Sequence, residues 1–269
     1  MSRYAAMFER LAASTGRGRA EGAFGAFLML GDPDPPTSAR LLDALVEGGA
    51  DMVEVGIPFS DPVADGPVIQ AAASRALASN VTVAACFRLI AGFRARHPKV
   101  PVGILTYANL VMARGRTHFF GAAARAGADS LLIADLPARE AEPWARQMVA
   151  AGIDPVLIAA ANTPPATLRA IARLSRGYTY CVTRAGITGG HAAAQFDDRL
   201  IRALKRAGAA PPVFGFGISE PDHVRAALAS GAAGVISGSA IVDCAARGGD
   251  VAALVSTLKA ATRNDFPPD

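Results

Sequence analysis

Gly48-Gly-Ala-Asp51-Met-Val-Glu54-Val-Gly-Ile-Pro58-Phe-Ser-Asp61-Pro-Val-Ala-Asp65-Gly-Pro67 reads as the end of a helix, a buried strand and a loop in immediate succession. The Gly-Gly pair supplies the left-handed backbone on which helices stop, and residues 52–56 are a short, almost wholly apolar run. The same join recurs as Ala126-Gly127-Ala128-Asp129 before Ser-Leu-Leu-Ile, Ala151-Gly152-Ile153-Asp154 before Pro-Val-Leu-Ile, and Ser230-Gly231-Ala232-Ala233 before Gly-Val-Ile-Ser. Helices and strands therefore alternate, with turns of two or three residues between them.

Working outward, apolar strand candidates fall at residues 23–30, 52–56, 102–106, 130–134, 155–159, 178–182, 213–216 and 234–236, with helical periodicity between most of them. Eight strands with crossover helices in 269 residues describe a (β/α)₈ TIM barrel, expected to form a single domain over residues 1–269. An extra N-terminal helix and a short extra helix after the eighth strand complete the expected architecture. A doubly wound sheet would want a Gly-rich dinucleotide turn after the first strand. Leu30-Gly-Asp-Pro-Asp-Pro-Pro36 is stiff and acidic instead.

Lys and Arg number 27 against 23 Asp and Glu, a small excess scattered without basic blocks, which suits an anionic small molecule better than nucleic acid. Cys86, Cys181 and Cys244 form an odd set without metal-type spacing and read as free thiols. His97, His118, His191 and His223 show no ligand spacing either, so they read as solvated structure and no metal is implied. The first twenty residues lack the apolar core of a signal peptide, and no run of about 18 apolar residues occurs, so a cytoplasmic protein without membrane contact is expected.

In a barrel the chemistry gathers at the C-terminal ends of the strands. Glu54 lies within a strand that should be apolar on both faces, so it is either a costly burial or a working acid. Eleven positions on, Asp65 sits in a loop that can fold back over the same cavity. Two carboxylates in unlike environments can divide acid and base roles. Composition alone does not separate Asp65 from Asp61. Gly215-Phe-Gly217-Ile-Ser follows the seventh strand, and Ser237-Gly238-Ser239 follows the eighth and opens a helix. Glycine lets an anion approach backbone N–H groups at the positive end of a helix, so these adjacent loops read as a phosphate site. Thr188-Gly189-Gly190 is a possible third wall, and residues 189–195 a mobile lid. Tyr107, Asn109 and Asp135 follow strands three and four. Phe27, Leu105, Leu132, Ala134 and Phe216 read as core by pattern, near strand ends.

These segments, together with Gly177-Tyr-Thr-Tyr180 and Arg184-Ala-Gly-Ile-Thr188-Gly189, resemble the α subunit of tryptophan synthase in order and spacing, from about Tyr4 to the last helix. The resemblance implies a (β/α)₈ lyase cleaving indole-3-glycerol phosphate to indole and glyceraldehyde 3-phosphate. It implies Glu54 as catalytic acid and base and Asp65 as the carboxylate on the indole N–H. Tyr180 then lies near the glycerol chain, and Thr188 orders Asp65 when the lid closes. Gly189, Gly217, Gly238 and Ser239 are the implied phosphate ligands; Phe27, Leu105, Leu132, Ala134 and Phe216 are the implied indole pocket, with Tyr107 among the substrate-binding residues. It further implies a β subunit as partner in a hetero-tetramer, and no cofactor in this chain, pyridoxal phosphate belonging to the partner. Met29, Ala159-Ala-Ala-Asn162 and Met112-Ala-Arg114 depart from the family pattern. An aminosugar-phosphate isomerase on the same barrel, or a binding protein that only activates a partner, are the alternatives; paired Glu54 and Asp65 argue against the first.

Overall fold

A computed structural model of the chain describes residues 1–13, 21–182 and 196–263. Its strands are β1 (Ala23–Met29), β2 (Met52–Gly56), β3 (Val102–Thr106), β4 (Ser130–Ile133), β5 (Asp154–Val156), β6 (Ile158–Ala160), β7 (Thr179–Val182), β8 (Pro212–Phe214) and β9 (Gly234–Ser237). All are parallel, in one sheet of order β5-β4-β3-β2-β1-β9-β8-β7-β6. The two ends of that sheet are consecutive in the chain. They are joined by Leu157, whose carbonyl accepts from the Tyr180 N–H at 3.1 Å, so nine segments close as eight staves.

The sequence reading of residues 155–159 as one strand is corrected here. β5 pairs with β4 up to Leu132↔Val156, and β6 pairs with β7 from Ile158↔Tyr180. The stave changes partner at Leu157, and Pro155 has no N–H with which to extend a ladder. Strand ends differ by a residue or two elsewhere. β1 stops at Met29, β4 at Ile133 and β8 at Phe214, because Gly215-Phe-Gly217 bends away.

The joins that suggested alternation have the expected backbone. Gly49, Gly127, Gly152 and Gly231 take φ between 81° and 94°, where a side chain would be strained. Helix starts are set by Asp34, Thr82, Asp197 and Asp250, each accepting from a first-turn N–H. Helix Arg3–Ala13 is the expected extra N-terminal helix and buries Tyr4, Met7 and Leu11. It lies across the N-terminal end of the barrel, where Arg3 bonds Asp129 at 2.8 Å and Arg10 bonds Asp51 at 2.9 Å. Both acids directly precede a strand. Helix Ser239–Ala246 is the short extra helix after the last strand.

Cross-strand neighbours share a face, and residues two apart along a strand occupy successive layers. One layer runs Phe27, Glu54, Gly103, Ser130, Asp154. The next, toward the C-terminal end, runs Met29, Gly56, Leu105, Leu132, Val156. An acid therefore sits one step below a ring of apolar side chains. Among the described residues no single helix is long and apolar enough to cross a membrane.

Candidate active site

Glu54 is 3% exposed in the middle of β2. Its Oε1 accepts from the Tyr178 hydroxyl at 2.7 Å, and among the described residues no cation pairs with it. Burial is the main force on its titration and pushes the carboxyl up to about 7; the Tyr178 bond opposes the rise and Asp65 adds to it. Such a group is divided between acid and carboxylate at neutral pH and can both give and take a proton.

The space beside Glu54 depends on a glycine. A Cβ on Gly103 would stand 2.8 Å from Ser130 Oγ and 3.0 Å from the Tyr4 hydroxyl. These two hydroxyls bond each other at 2.8 Å, and the Tyr4 and Tyr178 rings pack at 5.4 Å. Four residues that the sequence reading did not single out as site residues, Tyr4, Gly103, Ser130 and Tyr178, thus form the floor under the acid. Their signal was faint: a tyrosine in an apolar strand also reads as core.

The loop after β2 does fold back. Asp65 is buried, whereas Asp61 is exposed and accepts from Ser60, so burial separates the two acids that composition left equal. Burial raises the Asp65 carboxyl, against a hydrogen bond from Tyr107. The Tyr107 hydroxyl also accepts from the Ala64 N–H at 3.2 Å, and the Gln70 amide donates to the Asp65 carbonyl at 2.8 Å. Tyr107 is therefore turned to the loop that holds Asp65. The Asp135 carboxylate accepts from the Ala108 N–H at 2.8 Å and fixes the start of the short helix Ala108–Met112 after β3.

Phe27, beside Glu54 in its layer, and Leu132, in the layer above, are buried, and Leu105 is half-buried. Ala134, one residue beyond β4, is half-buried, its N–H donating to the Thr106 carbonyl. Phe27 and Met29 both lean over Gly56, where a Cβ would meet them at 2.8 and 3.0 Å. Tyr180 is buried and donates to the Gly215 carbonyl at 2.7 Å, its ring filling the place a Gly215 side chain would take. Phe216, next in the chain, is half-buried.

The two glycine loops are tied together by Ser237, the first residue of the second: its buried hydroxyl donates to the Ile218 carbonyl at 2.7 Å. Gly217 is exposed with φ 76°. Gly238 caps the helix that begins at Ser239, and a Cβ on it would lie 3.6 Å from the Phe27 ring. The two glycine loops and the apolar layer therefore adjoin. Thr188, Gly189 and the expected lid over 189–195 lie outside the described residues.

Among the described residues there is no group of three or more His, Cys, Asp or Glu side chains placed to hold a metal. His97 corrects the reading of the histidines as solvated: it is half-buried and bonds Asp43 at 2.7 Å. The three cysteines are free thiols, and burial pushes Cys86 and Cys181 up to about 12.

Known proteins resemble this chain in sequence and fold. The sequence model of the tryptophan synthase alpha chain family matches residues 14–264. The tryptophan synthase alpha chain of Serratia proteamaculans is 48% identical over 98% of this chain and 100% of its own length. That of Shewanella amazonensis is 51% identical over 90% of each. Among solved structures, a chain of Mycobacterium tuberculosis tryptophan synthase superposes with a TM-score of 0.87 at 31% identity, covering 97% of this chain and 98% of that one. An Aquifex aeolicus structure gives 0.87 at 30%, covering 97% and 99%.

Proposed function

The chain belongs to the tryptophan synthase alpha chain family, the lyases of the indole-3-glycerol phosphate step of tryptophan biosynthesis, and from that premise we propose that Glu54 and Asp65 carry this cleavage in a single barrel domain. Glu54 donates its proton to indole C3, which makes that carbon a leaving group. As the carbon–carbon bond breaks, its electrons restore the aromatic ring and the glycerol hydroxyl gives its proton back to the Glu54 carboxylate. The products are indole and glyceraldehyde 3-phosphate. Asp65, as a carboxylate, holds the ring N–H and balances the positive charge of the protonated indole. Leu105, Leu132, Phe27, Ala134 and Phe216 exclude water from the ring, Tyr180 lies along the glycerol chain, and Gly217, Gly238 and Ser239 bind the phosphate. Thr188 and Gly189 close the site in the same reading, and Tyr107 sets the position of Asp65.

The observation that carries this reading is a buried carboxyl raised to about 7, without a cation among the described residues, beneath an apolar layer. No step assigned here calls on a group outside the chain; pyridoxal phosphate belongs to the β partner. For that partner, in a hetero-tetramer, Val63 on the Asp65 loop and Met112 beyond β3, 72% and 53% exposed, are candidate apolar contacts. The reading is tested by incubating the purified chain with indole-3-glycerol phosphate and following indole, with and without a β subunit. Indole forms in both cases, at least about tenfold faster with the partner, a change of roughly 1.4 kcal/mol in the barrier. No indole in either case would overturn the assignment.

A further inference from the structure

Behind the split in the fifth stave lies a cavity of about 190 Å³, which shares only Ala134, at its rim, with the indole pocket assigned above. Its eleven lining residues are all Ala, Val, Leu, Ile, Met or Pro, so no side chain supplies a charge or a hydrogen bond. One wall is the end of β4 and the start of the loop beyond it, with Ile133 and Leu136. The opposite wall is the split itself, with Val156 and Leu157. Helix Ala141–Ala150 closes the outer side with Ala145 and Met148.

The void has a structural origin. β4 loses its neighbour after Leu132↔Val156, and the Leu157 carbonyl turns to β7. Opposite that break the helix presents the small side chains of Ala141 and Ala145 rather than larger ones. Interiors are otherwise close-packed, and a void forfeits the dispersion contacts its walls would make. An apolar cavity of about 150 Å³ stays dry and takes up benzene. This one is of similar size and open at one end, and its lining side chains are apolar throughout.

The mouth can be placed by burial. Ala145, Met148 and Val156 are buried, while Ala134, Leu136, Leu157 and Ile158 are half-buried. The opening therefore faces the C-terminal side of the sheet, the end that carries Asp65, Gly217 and Gly238.

We propose that this cavity is a second binding site, for a neutral aromatic ring of indole size. The volume, the apolar side chains that line it and the mouth at this end of the barrel carry the proposal. That its occupant is the indole released by the enzyme rests on the function proposed above.

The test is ¹⁹F NMR of 5-fluoroindole with the full chain, its active site first saturated with a non-cleavable indolylalkyl phosphate. A saturable bound resonance remains in the wild type. Ala145→Leu, which fills the cavity, weakens that binding at least about tenfold and leaves affinity for the phosphate analogue unchanged. Should Ala145→Leu fail to fold by circular dichroism, Ala141→Val makes the same comparison, and 5-bromoindole soaked into wild-type crystals puts anomalous density between Ala145 and Leu136. The proposal is overturned if no bound resonance survives saturation with the analogue, if a folded filled variant binds as well as wild type, or if bromine density is absent from the cavity. Failure of the analogue itself to bind would count against the proposed function alone, because the filled variant still reads the cavity directly.

Discussion

Asp51 and Glu54 lie three residues apart along one strand of chain, and both are almost sealed from solvent, at 6% and 3% exposure. Their surroundings are opposite. Asp51 accepts from Lys259 at 2.6 Å, from Arg10 at 2.9 Å and from the Phe24 N–H at 2.9 Å. Glu54 meets one phenol, and no cation among the described residues. Burying a carboxylate is tolerable when cations and N–H groups replace its water. Left without them, the group holds its proton into the neutral range. Depth along a strand thus separates an acid that holds the barrel from one that can react, in line with the division of barrels into a stabilising and a catalytic end.

The sharpest way to break this comparison is to remove the proton from one acid and the charge from the other. Glu54→Gln keeps size and the Tyr178 bond but cannot exchange a proton, so kcat for indole release falls by about 10³ to 10⁴, while an indolylalkyl phosphate analogue still binds. A loss below about tenfold removes Glu54 from the mechanism.

The second effect is thermodynamic. The folded-state carboxyl at about 7 lies above its unfolded value near 4.5, so between these limits the folded protein binds the extra proton. Stability is fully favoured below about pH 4.5 and declines as pH rises through 7, by roughly 3 kcal/mol for this one group. Other groups contribute their own slopes, so the expected quantity is the difference between wild type and Glu54→Gln in urea unfolding at pH 4.5 and pH 8. A difference that does not change with pH would mean that Glu54 is ionised in the fold.

Asp51→Ala gives the converse result. Arg10 is mostly exposed, and Lys259 keeps Glu21 at 2.8 Å, so the loss is roughly 2 to 3 kcal/mol, below that of a fully buried pair. Turnover per folded molecule stays within about twofold of wild type. A large drop in kcat with unchanged stability would reverse the assignment of the two ends.

What could be read from the chain before folding follows the same division. The glycines at 49, 127, 152 and 231 announce their role through local backbone demands, and Glu54 announces itself as a charge in an apolar strand. Composition could not choose between Asp61 and Asp65, because both sit in the same Pro-rich loop and only the fold-back buries one of them; the family resemblance alone favoured Asp65. The split at Leu157 was also hidden: an apolar run looks the same whether its two halves share a partner or exchange it. Tyr4 and Tyr178 are separated by most of the chain and become neighbours only inside the barrel, where hydroxyls pair that no spacing connects. Contacts local in sequence were legible, and contacts across the barrel were not.

The smallest expected effect probes that hidden floor. The Tyr178 hydroxyl donates to Glu54 and so favours its ionised form. In Tyr178→Phe the ring still packs on Tyr4, but the carboxylate loses its donor, and the acid holds its proton to higher pH. A hydrogen bond of roughly 1 kcal/mol corresponds to somewhat less than one unit of pKa. The alkaline limb of the kcat/KM profile therefore moves upward by about half a unit to one unit, and stability at pH 6, where Glu54 is mostly protonated, changes by less than about 1 kcal/mol. A purely structural tyrosine would give the other pattern, a clear stability loss with the limb unmoved. Tyr4→Phe is the control: it removes the bond to Ser130 at the same floor but no donor to Glu54, so its limb stays with wild type. If Tyr4→Phe shifted the limb as far as Tyr178→Phe, the floor would act on the acid as one network rather than through the single phenol in contact with it.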